Sequence, residues 1–313
     1  MLSGRCKSGT IGEIRVSLLT DPSTIKDNTE LIKESTLAEI VFYLREIENS
    51  RIVVISGARI SLPLDIPDFR SHDVGLYHAP FENECYYCDA FNKNYFLQDP
   101  APLYKITASV LKNDYEPTLS HYFIALLEHK NLLLKNYTLN MDDVENLAGI
   151  TRYTQIYGNL YSFVCINCRK EFSFEWTKVR LDEKKIPQCT NCASLIKPNI
   201  LLYGEELPTD IYEEFEEDMK ECKLLIVLGS TLSDEPLATV LRGVDFKFPR
   251  IFINDVHPYN FSDFHFYCEH DHSDVIWLGN IDSTCKKLVK LLGWEQELQE
   301  VSGMDLLGPE EEV

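Results

Sequence analysis

No run of eighteen apolar residues occurs in this 313-residue chain, which excludes a membrane-spanning helix. The stretch Met1 to Thr10 holds Arg5 and Lys7 but no apolar segment, which argues against a secretory signal. Glu13 and Asp21 come early for a mitochondrial leader. Positive charge is in short supply: 30 Lys and Arg against 50 Asp and Glu leave a formal net charge of −20. A chain this acidic repels nucleic-acid phosphate, so direct DNA or RNA binding is not expected. A cationic partner such as a lysine-rich peptide suits it better, although acidity also serves plain solubility. There is no internal repeat.

What is present is enough apolar material for a sizeable core, 44% of residues. Short apolar runs with polar ends fit strands buried on both faces of a parallel sheet. They are Arg51–Ser56, Asn136–Asn140, Leu224–Leu228, Arg250–Asn254 and Val275–Leu278. Helical spacing predicts helices over Thr29–Glu48, Ser120–Leu134, Asp210–Glu221 and Asp282–Gly293, the last closed by Gly293 as C-cap. Alternating strands and helices predict an α/β doubly wound sheet. The chain beyond Trp294 turns polar and is expected to fray.

Of the 10 cysteines, six stand in Cys-x-x-Cys pairs, which in a chain without a secretory signal favours metal over disulfides and a reducing cytosol or nucleus. Cys165 and Cys168 are followed, after a spacer, by Cys189 and Cys192. Two such knuckles present four thiolates to one tetrahedral Zn²⁺ with no open position, hence a structural ion. It would hold together a small irregular module inserted between Tyr161 and Tyr203. Cys85 and Cys88 form a third pair without partners and read as ordinary thiols.

A glycine loop, Gly57-Ala58-Arg59-Ile60-Ser61, follows the first strand. In a doubly wound fold such a loop is where a dinucleotide pyrophosphate rests. One glycine is not a fingerprint, but polar and glycine residues close other strands too: Asn140 and Asp142, Gly229-Ser230-Thr231, and Asn254. The succession continues with Ile66-Pro67-Asp68-Phe69-Arg70-Ser71, Gly75-Leu76-Tyr77, Pro117-Thr118 with His121, Ala148-Gly149-Ile150, the two knuckles, Lys197-Pro198, Gly204-Glu205 with Pro208, and Leu292-Gly293-Trp294. In this order the motifs resemble the sirtuins, most of all their cytosolic eukaryotic branch, over about residues 35 to 300.

The resemblance implies a Rossmann-like sheet with a smaller domain made of a helical insertion and the zinc ribbon. It divides the chain into a polar arm at 1–34, a catalytic-type domain at 35–300 and an acidic tail at 301–313. The Rossmann-like part would be 35–71, 130–159 and 204–294, the helical insertion 72–129 and the ribbon 160–203. In that family NAD lies in the crevice between the two parts and an acyl-lysine enters from the other side. A histidine serves as base on a ribose hydroxyl, and the products are free lysine, nicotinamide and acyl-ADP-ribose. By the same resemblance Gly57, Ala58, Asp68 and Arg70 would line phosphates and ribose, and Phe69 would shield the nicotinamide. Asn140 and Asp142 would hold ribose and amide, with Asn140 also catalytic. Gly229, Ser230, Thr231, Asn254 and Gly279 would complete the cofactor site, and Leu201, Leu202 and Tyr203 the acyl-lysine tunnel.

The pattern breaks at the base. Where sirtuins carry Glu-Ala-His-Gly ahead of the ribbon, this chain has Gln155-Ile156-Tyr157-Gly158, and Cys165 fixes the register. A phenol titrates near ~10 and is a poor base at neutral pH; losing general-base catalysis costs about 10²–10⁴ in rate. Arg59 replaces a phosphate-loop glycine, where it would fill the space, pair with phosphate, or pair with Asp65. Asp65 stands in place of another glycine, Leu139 in place of a glutamine, and Val256 where a glutamate is common. The reading is a sirtuin-fold protein impaired in catalysis, with a structural zinc and a weakened NAD site. It would serve binding or regulation, with an acyl-lysine peptide or histone tail as partner. The other reading is an active NAD-dependent deacetylase on acetyl-lysine proteins such as histones.

Overall fold

The computed structural model describes residues 40–66, 87–232, 248–256 and 275–303, apart from 43, 48, 112, 113 and 184, together with 237, 241 and 244. Its main sheet has six parallel strands in the order β3-β2-β1-β7-β8-β9. They are β1 (Ile52–Ser56), β2 (Leu133–Thr138), β3 (Tyr153–Gln155), β7 (Leu224–Leu228), β8 (Arg250–Asn254) and β9 (Val275–Leu278). Side chains alternate across a strand, so both faces must be covered for such apolar runs to be stable. Val53, Ile55, Tyr137, Leu225, Val227 and Phe252 enter one core, and Ile52, Val54, Leu133, Ile226 and Ile253 the other.

A first group of helices, α1 (Tyr87–Ala90), α2 (Lys93–Gln98) and α3 (Ala101–Val110), lies in the predicted helical insertion. Helix α4 (Leu119–His129) starts with a capping box: the Thr118 backbone N–H donates to His121 Nδ1 at 3.3 Å. The short α5 (Val144–Leu147) follows β2. Helix α6 (Phe174–Asp182) belongs to the cysteine module, and α7 (Thr209–Glu221) precedes β7. The chain closes with α8 (Ile281–Leu292) and α9 (Glu295–Ser302).

Helix α4 stops at His129 and β2 begins at Leu133, earlier than the expected Leu134 and Asn136. Lys135 and Asn136 put polar residues inside the strand and hide its apolar start. The expected fraying beyond Trp294 is corrected by α9, which buries Leu298 and packs on α4. Gly293 turns between α8 and α9 at φ 72, a left-handed conformation that glycine adopts freely. The cysteine module is not irregular either. It is a three-stranded antiparallel sheet, β5-β4-β6, built from β4 (Gly158–Cys165), β5 (Glu171–Phe172) and β6 (Ile196–Ile200). Of the helix expected over Thr29–Glu48, only part lies within the described residues, and it holds Ile40 and Leu44 against the core.

Candidate functional site

In a doubly wound sheet the ligand crevice opens outside the carboxyl ends of the strands where the strand order reverses, here between β1 and β7. The loops there are sewn together. Gly57 N–H donates to Leu228 O at 3.0 Å, Arg59 N–H to Gly229 O at 3.1 Å, and Gly229 N–H to Ile253 O at 3.0 Å. A Cβ on Gly57 would meet Gly229 O at 2.7 Å and Ser230 Cβ at 2.7 Å. Only glycine permits the two strand ends to approach this closely.

Beside them, the turn after β2 brings Asn140 and Asp142 to the same floor. Asn140 Nδ2 donates to Ser61 Oγ at 3.3 Å, and Ser61 also hydrogen-bonds the Asp142 side chain. Asp142 Oδ1 accepts from Val144 N–H at 3.1 Å. Below lies a residue that sequence reasoning missed, Glu145. The Thr138 hydroxyl donates to its carboxylate, and the same hydroxyl oxygen accepts Asn140 N–H at 3.1 Å. Ser56 reaches Glu145 at 3.5 Å. Burial pushes Glu145 up to about 8 and the Asp142 charge adds to this; Asp142 is raised for the same first reason. The signal available in sequence was a third acid within Asp142-Asp143-Val144-Glu145.

On the far side, Arg59 Nη1 donates to both Asp255 oxygens, at 2.7 and 2.6 Å. The expected pairing of Arg59 with Asp65 is thereby corrected: Asp65 is exposed, at φ 58 at the end of a short turn of helix. Asp255 directly follows Asn254 at the end of β8, and its charge at that strand end was its only signal. Asn254 Nδ2 donates to Ser230 O at 3.3 Å, Ser230 Oγ accepts Leu232 N–H at 3.0 Å, and Gly279 N–H donates to Asn254 O at 2.8 Å. Thr231 is buried beside Ser230, and Ala58 is partly buried in the turn that bears Arg59. Three buried polar atoms in this crevice have no partner among the described residues: Arg59 Nε, Asn140 Oδ1 and Asn254 Oδ1. One is a cationic donor and two are acceptors, so a ligand with anionic oxygens and hydroxyl groups answers them.

Tyr157 is fully buried at the step from β3 into β4, where its carbonyl accepts Leu201 N–H at 2.9 Å. It belongs to the same buried core as Ile156, Leu160, Ile200 and Leu202. The following segment, Ile200 to Glu205, is fixed by Lys197, which donates to Ile200 O and pairs with Glu205 at 3.1 Å. Leu201 and Tyr203 are partly buried there and Leu202 is buried. Asp68, Phe69, Arg70, Cys85 and the side chain of Cys88 lie outside the described residues.

Cys165, Cys168, Cys189 and Cys192 converge, all four sulfurs within 4.8 Å of one another. Four sulfurs at ~2.3 Å from one ion in a tetrahedron lie about 3.8 Å apart; here Cys165–Cys192 and Cys168–Cys189 are each 3.5 Å apart. Backbone N–H groups of Asn167 and Asn191 donate to Cys165 and Cys189 sulfurs at 3.4 and 3.3 Å, which suits thiolates. The Ser194 hydroxyl and N–H hold the Cys192 thiol down to about 5. The set fits one structural zinc.

The Sir2 family profile matches residues 57–236. The chain is 34% identical over 284 residues to the NAD-dependent deacetylase sir2A of Dictyostelium discoideum, covering 88% of this chain and 55% of that protein. It is 32% identical over 301 residues to the NAD-dependent protein deacetylase sirtuin-2 of Danio rerio, covering 91% and 79%. It is 35% identical over 268 residues to the NAD-dependent protein deacetylase hst2 of Schizosaccharomyces pombe, covering 85% and 79%. The chain thus spans about half the length of the first of these relatives and most of the other two.

Proposed function

The chain belongs to the Sir2 family, and from that premise we propose that it is a sirtuin-fold binding or regulatory protein with impaired deacetylase chemistry. The single observation that carries this reading is Tyr157. It stands where the resemblance puts the family's base histidine, and it is fully buried in the core. A base must reach the proton that it takes. An imidazole titrates near ~6.5 and a phenol near ~10, so this exchange removes proton acceptance at neutral pH.

The crevice itself fits NAD. Its unsatisfied atoms match a dinucleotide: ribose hydroxyls for Asn140 Oδ1 and Asn254 Oδ1, a phosphate oxygen for Arg59 Nε. Gly57, Ala58, Gly229 and Ser230 would form the phosphate end, Thr231, Asn254 and Gly279 the adenosine end. Asn140 and Asp142 would take the nicotinamide ribose and amide; Asp68, Phe69 and Arg70, outside the described residues, would add the cofactor contacts that the family resemblance implies. When bound, NAD supplies the ribose that accepts an acyl group. Asp65 adds an exposed carboxylate to the segment that follows the Gly57 loop, and Leu139 supplies no polar contact, so binding is weakened rather than lost. The acyl-lysine segment of a protein, such as a histone tail, would dock along Leu201 to Tyr203, attracted by the net charge of −20. With such substrates the protein would work in cytoplasm or nucleus.

A second reading, an active deacetylase, is favoured by the intact Asn140–Ser61–Asp142 arrangement. Incubation with NAD and a lysine-acetylated histone-tail peptide, read by mass spectrometry, separates the two. We expect no acyl-ADP-ribose from the wild type and partial rescue by Tyr157→His, since the imidazole is returned but the cofactor still docks weakly. Robust deacetylation by the unmutated protein would overturn the proposal.

A further inference from the structure

Arg59 stands in the crevice in an unusual state. Its side chain is only 7% exposed, whereas that of Asp255 is 43% exposed. The guanidinium is therefore the fixed half of the pair and the carboxylate the half that can swing into water. The pairing is also poorly matched. A carboxylate that fits the guanidinium fork engages two of its nitrogens. Here one nitrogen, Nη1, serves both carboxylate oxygens, while Nε is buried without a partner among the described residues.

The place is equally specific. Arg59 N–H is tied to Gly229 O at the switch point between β1 and β7, and Asp255 follows Asn254, whose Oδ1 is likewise unsatisfied. The side chain spans from the end of β1 past β7 to the end of β8. That is the line along which a phosphate and its adjoining ribose lie in a doubly wound crevice. A phosphate offers more acceptor oxygens than a carboxylate and can reach Nε and Nη1 together.

We propose that Arg59 is a phosphate-binding residue whose anion site is filled by the chain's own Asp255 until a nucleotide phosphate displaces it. The proposal rests on the reading of this crevice as a dinucleotide site. It makes Asp255 an internal competitor: the nucleotide must break the Arg59–Asp255 pair to gain its own. Affinity for phosphate-bearing nucleotides is therefore set by the carboxylate, while affinity for a phosphate-free nucleoside is not.

Calorimetry with ADP-ribose, NAD and adenosine on the full chain tests this, with zinc content and thermal melting as folding controls. Asp255→Asn should bind ADP-ribose about tenfold tighter and leave adenosine unchanged. In an Arg59→Met background the same change should bring no gain. If Arg59→Met does not fold, Arg59→Lys replaces it, and the gain from Asp255→Asn should then shrink but persist. Unchanged ADP-ribose affinity in Asp255→Asn, or an equal gain for adenosine, would overturn the inference alone. So would tighter ADP-ribose binding by Arg59→Met, because Arg59 would then be an obstacle. No binding of NAD or ADP-ribose by any of these proteins would overturn both this inference and the dinucleotide reading.

Discussion

Two buried titratable groups should give this protein opposite acid and alkaline limbs of stability. His121 is wholly buried in the first turn of α4, with Nδ1 accepting a hydrogen bond and Nε2 without a partner among the described residues. Burial lowers it from 6.5 to about 3. A depressed folded-state value means stability that is present above the unfolded value and lost as pH falls towards the folded one. The difference converts to roughly 5 kcal/mol as an upper bound, comparable with the whole stability of many domains. Glu145 runs the other way. Burial and the neighbouring Asp142 raise it from 4.5 to about 8, so its contribution is full below the unfolded value and is lost as pH rises through the folded one. Stability should therefore climb from about pH 3, level off between about 4.5 and 6.5, and decline towards pH 8. Urea unfolding of the wild type, His121→Asn and Glu145→Gln across that range measures both limbs. Between about 4.5 and 6.5 the two slopes cancel, so His121→Asn should abolish the acid limb and let the decline begin near pH 4.5, and Glu145→Gln should abolish the alkaline limb and let the climb run on to about 6.5. An acid limb of the same height in His121→Asn would refute the assignment to that imidazole.

The cysteine cluster should hold one zinc per chain: chelation, or Cys165→Ala, should release the metal and unfold the ribbon ahead of the main sheet, seen as biphasic melting, because the ion supplies much of that module's folding energy. Gly57→Ala should cost about 1–3 kcal/mol in thermal or urea unfolding, since the added methyl would lie 2.7 Å from Gly229 O; a neutral result would mean that the loop after β1 is free to move away from Gly229.

The sheet was legible because its strands are nearly uniform in character. Leu224–Leu228, Arg250–Asn254 and Val275–Leu278 match the structure end to end, each an apolar run bounded by polar or turn residues. Edge strand β3 was missed because Tyr153–Gln155 is short, half-buried and not apolar. The thiol cluster was legible from spacing alone, since two Cys-x-x-Cys knuckles at this separation are the pattern of a zinc site. Arg59–Asp255 was not. The two residues are 196 apart in sequence, and nothing local distinguishes Asp255 from Asp65 as the partner. Only the parallel order β1-β7-β8 brings the first pair together. Glu145 escaped for a related reason, since a carboxylate in a helix beginning reads as a surface charge until Thr138 and Ser56 are found above it.

The residues that this chain shares with the sirtuins do not weigh equally on the question of activity. Gly57 and Gly229 are required by strand approach, whatever occupies the crevice. Asn140 and Asp142 are held by Ser61, Val144 and, through Thr138, by Glu145, so they stabilise the turn into α5 as well as offering groups to a ligand. Lys197 and Glu205 form an ion pair that shapes Ile200 to Glu205, and the four thiols hold a metal-bound fold. Each of these would be kept by folding alone. A base histidine is different. At the step between β3 and β4 the fold buries a large side chain in the core, and tyrosine meets that demand. Among the described residues, position 157 is thus a place where chemistry and folding make separable demands. On the function proposed above, Tyr157 meets the packing demand but would not take a proton at neutral pH, and for that reason it carries the proposal more than the longer roll of matching residues does.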